Sequence, residues 1–270
     1  MDINWLNYYT GPNIPTLLIR IGPMGSGKTS AVNIFIEKHL KFLAELFYLV
    51  DIDNIVTNSK YYLDAIKSNP QMTSDELGAL WYRANKKIKA DEIMMEIINK
   101  LYKSKNHFSL ESTGKYFCPS RKHILNSYKN GYSVIMVYCF LPFSILYKRV
   151  MSRMAQESRA APISELIENI KSSLVNFTKN IPFIDNFIIL DNSVDKNTSP
   201  NVLFESNINF DKFDNDSCLE KKYTQNKDRI DYLKNLITTD SFYDSYNNIK
   251  TLELAFLDTI LNKDIFLGSK

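Results

Sequence analysis

The feature that most constrains this sequence is a strand, loop and helix pattern close to its start. The apolar run Leu17–Ile21 has the composition of a buried strand, and it leads directly into Gly22-Pro23-Met24-Gly25-Ser26-Gly27-Lys28-Thr29-Ser30. The spacing of two glycines, a lysine and a threonine is that of a phosphate-binding P-loop. Glycines let the backbone turn tightly around an anion, and the positive N-terminal end of the following helix attracts the same charge. Residues 22–30 are therefore predicted to bind the phosphates of a nucleoside triphosphate.

Two side chains at the end of this loop have specific expected roles. Lys28 would bridge the β- and γ-phosphates, and the Thr29 hydroxyl would ligate Mg²⁺. The alternative interpretation is an ordinary Gly-Ser turn between a strand and a helix. The full eight-residue spacing in a strand-to-helix context favours the nucleotide site.

Composition and charge narrow the class of protein. A chain of 270 residues, with 44% hydrophobic and 23% charged residues, has the balance of a globular protein with one sizeable core. Its net charge of +3 is too small to indicate a large nucleic-acid surface. Cys118, Cys139 and Cys218 lack paired Cys/His spacing, which argues against a disulfide framework or a zinc site. With no long apolar run and no signal-peptide order at the N-terminus, we expect a cytoplasmic protein without a membrane partner.

Apolar runs alternate with helical patterns, which is typical of an α/β fold with a parallel sheet. We expect a P-loop NTPase fold with about five strands flanked by helices. The candidate strands are Leu17–Ile21, Phe47–Asp51, Phe108–Glu111, Ser133–Phe140 and Phe187–Leu190. The candidate helices lie at 28–42, 75–104, 120–129, 143–155 and 163–178.

The character of the chain changes after about residue 192. Residues 1–192 are expected to form the P-loop kinase domain. Residues 193–227 are rich in Asn, Asp, Ser and Lys, which predicts a loop or linker. Helical patterns at Asp228–Ile237 and Tyr246–Leu261 then indicate a C-terminal helical appendage over 228–270.

Two acids follow the second predicted strand. Asp51 and Asp53 stand at its carboxyl end, which is where ligands bind in an open parallel sheet. One acid could accept the proton of a substrate hydroxyl while the other holds Mg²⁺ or its water shell. We favour Asp53 as the base and Asp51 as the metal ligand. The alternative is a pair of solvated loop acids that cap the next helix.

A second polar cluster, Glu111-Ser112-Thr113-Gly114-Lys115, follows the third predicted strand. A carboxylate and two hydroxyls beside a glycine turn suit hydrogen bonds to a hydroxylated substrate. The alternative is a polar strand-to-helix turn with no ligand.

Three arginines are candidates for neutralising phosphate charge. Arg149 and Arg153 are four residues apart and share one face of the predicted helix. Arg159 lies in the short connection before the next helix, a natural lid position. The alternative is that these arginines only form a solvated basic helix face, and this alternative has the most weight for Arg149.

Together these residues resemble the zeta-toxin family of P-loop kinases, which move the γ-phosphate of ATP to the 3′-hydroxyl of a UDP-linked amino sugar. The similarity covers roughly residues 15–192. The matching pieces occur in order: Gly22 to Ser30, Asp51-Ile52-Asp53, Glu111-Ser112-Thr113-Gly114-Lys115, Arg153, and Arg159-Ala160-Ala161-Pro162.

The resemblance implies a role for each matching residue. Residues 22–30 would bind ATP, with Lys28 and Thr29 on phosphate and Mg²⁺ and Asp53 as the base. Arg153 and Arg159 would neutralise the transferring phosphate. On the acceptor side, Glu111 and Thr113 would contact the sugar nucleotide.

Two departures from the family pattern both lie on the acceptor side. The family motif carries an arginine where this chain has Lys115, and an amine cannot reproduce the two-pronged grip of a guanidinium on phosphate. The family's substrate-contacting helix glutamate is replaced in register by Met95, which leaves the neighbouring Glu96 as the candidate. The ATP side is therefore better supported than the sugar nucleotide.

The sequence thus predicts an ATP-dependent kinase that acts on a small hydroxylated acceptor, with a UDP-amino sugar favoured. One alternative is a polynucleotide- or nucleotide-kinase-like phosphotransferase, the only case in which nucleic acid is a partner. Another is an ATP-binding regulatory module without efficient catalysis, which would have no need of Asp53 or Arg159. The sequence identifies no inhibitory protein partner.

Overall fold

The computed structural model describes residues 14–39, 47–157, 163–194, 198–208 and 221–262. Within these residues, seven strands form one sheet with the spatial order β2-β3-β1-β4-β5-β6-β7. The strands are β1 (Thr16–Ile21), β2 (Tyr48–Val50), β3 (Phe108–Ser112), β4 (Ser133–Phe140), β5 (Asn186–Asp191), β6 (Asn201–Ile208) and β7 (Lys221–Gln225).

Helices connect and cover the strands. In chain order they are α1 (Lys28–His39), α2 (Ile52–Thr57), α3 (Lys60–Ser68), α4 (Ser74–Ile88), α5 (Ala90–Ser104), α6 (Phe117–Lys129), α7 (Phe143–Glu157), α8 (Ile163–Asn180), α9 (Lys227–Thr239) and α10 (Asn247–Leu261). Short 3₁₀ turns occupy Ile181–Phe183 and Ser241–Ser245.

The first five strands are parallel, as the alternation of apolar runs and helices predicts. β1 lies at the centre, paired with β3 on one side and β4 on the other. All six of its residues are buried, which is typical of a central parallel strand covered on both faces. β6 and β7 extend the sheet beyond β5 as antiparallel strands. The α/β P-loop fold expected from the sequence is confirmed.

The connections leaving β1 and β3 run over opposite faces of the sheet. α1 packs on the face of Leu18, whereas Leu17 and Ile19 face a larger cluster that includes Ile124 of α6. Such a reversal between neighbouring strands opens a crevice at their carboxyl ends, which is where open α/β sheets bind ligands. The P-loop follows β1 and Glu111 lies near the end of β3, so both border this crevice.

Three apolar clusters hold the described residues together. The largest joins one face of the sheet to α5–α10 and includes the buried side chains Ile230, Leu257 and Ile260 of the two C-terminal helices. A smaller cluster lies under α1 on the opposite face. A third, built around Val56 and Leu80, lies among α2–α5. The C-terminal helices therefore complete the main core.

Two details differ from the sequence-based expectation. The predicted helix 75–104 is broken into α4 and α5 at Lys89, whose φ of 55° is left-handed. The stretch 193–227, predicted as loop, contains β6 and β7. The predicted extension of α1 to residue 42 lies partly outside the described residues.

In the part of the chain that the structure describes, no helix has the length and apolar character needed to cross a bilayer.

Candidate active site

The P-loop backbone adopts a conformation that only glycine supports readily. Gly25 and Gly27 have φ of 81° and 71°, in the left-handed region. Between them, the N–H of Ser26 donates to the carbonyl oxygen of Pro23 at 3.1 Å, which closes the turn. α1 begins immediately afterwards at Lys28. The chain therefore passes from a buried strand through a tight loop to a helix N-terminus, which is the arrangement that binds phosphate.

Glu111 contacts both functional side chains of the P-loop. The Thr29 hydroxyl lies 2.9 and 2.7 Å from the two carboxylate oxygens of Glu111. Lys28 Nζ lies 3.5 Å from Glu111 Oε1, and these two side chains are only 13% and 14% exposed. The structure thus brings Lys28, Thr29 and Glu111 together at the carboxyl ends of β1 and β3.

A buried arginine adds positive charge near this cluster. Arg20 pairs in register with Glu111 across β1 and β3, and it is 3% exposed. Its guanidinium donates to Asn33 Oδ1 at 2.7 Å. Burial lowers the pKa of Arg20, and the negative charge of Glu111 acts in the opposite direction. Glu111 is therefore flanked by the cations Lys28 and Arg20.

The donor set of this cluster fits Mg²⁺. Thr29 and Glu111 offer oxygen atoms, the ligands that Mg²⁺ prefers, and Mg²⁺ ordinarily keeps waters and phosphates for the rest of its shell. No group of three or more His, Cys, Asp or Glu side chains able to hold a metal occurs among the described residues.

Asp51 and Asp53 differ in their surroundings. Asp51 caps α2, and its carboxylate accepts the backbone N–H of Asp53 at 3.0 Å. Burial raises the pKa of Asp51; that hydrogen bond opposes the rise, and the charges of Asp53 and Glu111 add to it. Asp53 lies in the first turn of α2 and is exposed. The charge of Glu111 in the P-loop cluster thus acts on the half-buried acid, Asp51.

The turn after β3 is ordered largely by its own polar groups. Ser112 Oγ accepts the N–H of Gly114 at 3.0 Å, and Thr113 Oγ1 accepts the N–H of Lys115 at 3.4 Å. Lys115 Nζ lies 3.6 Å from a carboxylate oxygen of Glu168 on α8. The cluster predicted for the acceptor is therefore divided, because Glu111 contacts the P-loop while Lys115 faces α8.

Three further predicted residues are Glu96, Arg153 and Arg159. Glu96 is exposed on α5, while Met95 beside it packs against the main core. Arg153 lies in α7, but its side chain is outside the described part of the structure. All of Arg159 lies outside the described residues.

Asn192, which the sequence did not single out, and Arg149, one of the candidate arginines, both lie against the P-loop. Asn192 Nδ2 donates to the Ser26 carbonyl oxygen at 2.7 Å. Arg149 Nη1 lies 3.8 Å from the position that a Cβ on Gly27 would occupy, and its Nη2 donates to the Val194 carbonyl oxygen at 3.0 Å. The position of Asn192 after the fifth parallel strand is a signal that the sequence offers for this residue.

Comparison with known proteins gives likeness in structure but not in sequence. No family model matches the chain, and no curated protein matches it. A chain of the PezAT chromosomal toxin–antitoxin system of Streptococcus pneumoniae superimposes with a TM-score of 0.51 and 13% identity, covering 95% of this chain and 93% of that one.

The AvrRxo1-ORF1:AvrRxo1-ORF2 complex gives a similar result. Its structure with sulphate ions has a TM-score of 0.52 at 12% identity, covering 96% of this chain and 81% of that chain. Its structure with ATP has a TM-score of 0.52 at 13% identity and the same coverage. At these identities the likeness concerns the fold alone, and this chain shares its fold with the PezAT and AvrRxo1-ORF1:AvrRxo1-ORF2 structures.

Proposed function

We propose that this protein is an ATP-dependent phosphotransferase that moves the γ-phosphate of ATP to a hydroxyl group of a small acceptor. The observation that carries the proposal is the contact of Glu111 with Lys28 and Thr29 at the start of α1. This cluster joins a phosphate-binding loop to an acid at the carboxyl end of the neighbouring strand. Phosphoryl transfer depends mainly on positioning and charge neutralisation, and these groups supply both.

On the ATP side, residues 22–30 would surround the phosphates and Lys28 would bridge the β- and γ-phosphates. Thr29 and Glu111 would hold Mg²⁺, with Asp51 close enough to orient its water shell. Bound Mg²⁺ would neutralise charge on the phosphates. Glu111 is better placed for this role than for the acceptor, because its carboxylate already contacts the P-loop threonine.

The proton of the acceptor hydroxyl needs a base at the edge of the crevice. Asp53 is proposed for this role, since it is exposed in the first turn of α2 while Asp51 is engaged as the helix cap. Arg149, beside Gly27, is proposed to join Arg153 and Arg159 in neutralising the transferring phosphate.

For the acceptor, a sugar nucleotide is the first candidate. Thr113, Lys115 and Glu96 are the residues proposed to contact it, because Glu111 is assigned to Mg²⁺. Support for this acceptor comes from the resemblance in sequence motifs. The lysine at position 115 and the displaced glutamate at position 96 make the acceptor pocket the part that most needs testing.

The test is incubation of the purified protein with γ-labelled ATP, Mg²⁺ and separate panels of UDP-sugars, nucleosides and 5′-hydroxyl oligonucleotides. We expect label to appear on a UDP-amino sugar, and to be lost with Lys28→Ala. Label on oligonucleotides alone would replace the acceptor but retain the kinase. Tight Mg-ATP binding with no transfer to any panel would favour a regulatory ATP-binding module.

A further inference from the structure

The loop that follows β5 contacts both the P-loop and the C-terminal helix α9. On one side, Asn192 donates its side-chain amide to the Ser26 carbonyl oxygen at 2.7 Å. On the other side, Arg229 of α9 donates through Nε to Asp191 Oδ2 at 2.5 Å and through Nη2 to Ser193 Oγ at 2.8 Å. Residues 191–194, here called the β5 loop, therefore join two distant parts of the chain.

The ion pair at the base of this loop is largely shielded from water. Asp191 is fully buried, and the side chain of Arg229 is 23% exposed. The second carboxylate oxygen of Asp191 accepts the N–H of Ser193 at 2.8 Å. The guanidinium of Arg229 also lies 4.4 Å from the centre of the Tyr232 ring on its own helix. A guanidinium that donates both to a buried carboxylate and to a neighbouring hydroxyl fixes the loop more firmly than an exposed ion pair would.

The bond from Asn192 to Ser26 has a direct consequence for phosphate binding. In a planar trans peptide, the carbonyl and the following N–H point in opposite directions. Holding the Ser26 carbonyl on Asn192 therefore turns the N–H of Gly27 away from the β5 loop. Ser26 lies between two glycines with positive φ, so its peptide unit has little rigidity of its own.

We propose that Arg229 is a positioning residue for nucleotide binding, acting through the β5 loop and Asn192 on the P-loop. The same loop also fixes Arg149, whose Nη2 donates to the Val194 carbonyl oxygen at 3.0 Å. The C-terminal helix α9 thereby takes part in forming the phosphate site. This inference rests on the proposed function, because it assumes that the P-loop binds Mg-ATP.

The test is a double-mutant cycle on the dissociation constant for Mg-ATP, measured by titration calorimetry. Arg229→Gln and Asn192→Ala should each weaken binding about tenfold or more, a loss comparable to that of one well-formed hydrogen bond to a positioned group. If Arg229 acts through Asn192, the double variant should bind no more weakly than the weaker single variant. A purely structural role would instead give losses that multiply.

The matched control is Lys234→Gln on the same helix. Lys234 forms its ion pair with Asp258 of α10 rather than with the β5 loop, so its removal should leave the Mg-ATP dissociation constant unchanged. Equal weakening in this control would overturn the inference, because any loss of charge on α9 would then suffice.

Arg229→Gln leaves Asp191 as a buried, unpaired carboxylate, and this variant can fail to fold. The variant Asp191→Asn/Arg229→Gln removes both charges and should fold while still binding Mg-ATP more weakly than the parent. Parental affinity in a folded variant, or failure of both variants to fold, would overturn the inference. If the parent protein itself did not bind Mg-ATP, the proposed function would be wrong. Failure of the proposed function can therefore be distinguished from failure of the inference about Arg229.

Discussion

At the scale of single residues, Glu111 organises the candidate site. It lies between the cations Lys28 and Arg20 and accepts the Thr29 hydroxyl with both oxygens. Its carboxylate offers the oxygen ligands that a hydrated Mg²⁺ ion prefers. Its spacing in the sequence suggested contact with the acceptor, whereas its side chain lies against the P-loop.

The first prediction concerns the charge of Glu111. Glu111→Gln keeps the size of the side chain but removes its negative charge, so the Mg²⁺ concentration needed for half-maximal ATP turnover should rise about tenfold or more. The measurement is a Mg²⁺ titration at saturating ATP. Glu92→Gln, at an exposed residue of α5 paired with Lys89, is the control and should behave like the parent. An unchanged Mg²⁺ requirement in the Glu111 variant would contradict the metal role.

The second prediction separates the two acids that follow β2. Asp53→Asn removes the proposed base, and turnover should fall by about 10²–10⁴ while Mg-ATP affinity changes little. Asp51→Asn retains a side chain that can cap α2 and should act mainly on the Mg²⁺ requirement. Turnover and calorimetric ATP binding, measured on both variants, decide between them. A greater loss of turnover in the Asp51 variant would reverse the two assignments.

At the scale of elements, the P-loop depends on glycine for two independent reasons at Gly25. Its φ is 81°, and a Cβ there would lie 2.5 Å from Val150 Cγ2 of α7. Gly78, exposed in α4, meets nothing within 4 Å. A methyl group would therefore clash at position 25, whereas it would fit at position 78.

The third prediction uses this contrast. Gly25→Ala should destabilise the protein by about 1–3 kcal/mol, from backbone strain and the close contact, and should abolish tight Mg-ATP binding. Gly78→Ala should instead raise stability by about 0.5–1 kcal/mol, because alanine loses less backbone entropy in a helix. Urea unfolding and ATP titration of both variants test this pair. Normal ATP binding by the Gly25 variant would show that the loop tolerates another conformation.

Most elements were predictable because their residues alternate or repeat in ways that burial requires. The buried strands β1 and β4 are largely apolar runs, and apolar residues recur at helical spacing through 75–104. β6 was missed because Glu205 and Ser206 lie within it and are nonetheless buried. The helix break at Lys89 was not predicted because no glycine or proline marks it in the sequence. Contacts such as Asn192 to Ser26 join residues far apart in the chain and have no local signal.

At the scale of the whole molecule, two buried carboxyl groups make stability depend on pH. Burial raises the pKa of Glu205 to about 7. Burial also raises the pKa of Glu253 to about 8, although Tyr243 and the N–H of Phe143 donate to its carboxylate. The folded state therefore holds these protons more tightly than the unfolded state does.

The fourth prediction follows from the sign of these shifts. The stabilisation from both protonated groups is fully present below their unfolded pKa of 4.5 and is lost as pH rises through about 7 and about 8. The free energy of unfolding contributed by these groups should therefore fall as the pH rises from about 4.5 to about 8, as measured by urea denaturation. Glu253→Gln mimics the protonated group and should reduce this fall, whereas the exposed control Glu168→Gln should retain it. A stability that rose over this interval would contradict the assignment.

The place of Phe256 in the core has a consequence for how the protein is made. Its ring lies 5.5, 5.8 and 6.4 Å, between centroids, from the rings of Tyr138, Phe140 and Phe177. A ribosome delivers the central strands before this aromatic side chain, so the apolar face of the nascent sheet stays uncovered until α10 has emerged. A fragment ending at residue 192 should be rapidly digested by protease and should not bind Mg-ATP. The nascent chain would therefore gain its nucleotide site only after α10 has been translated.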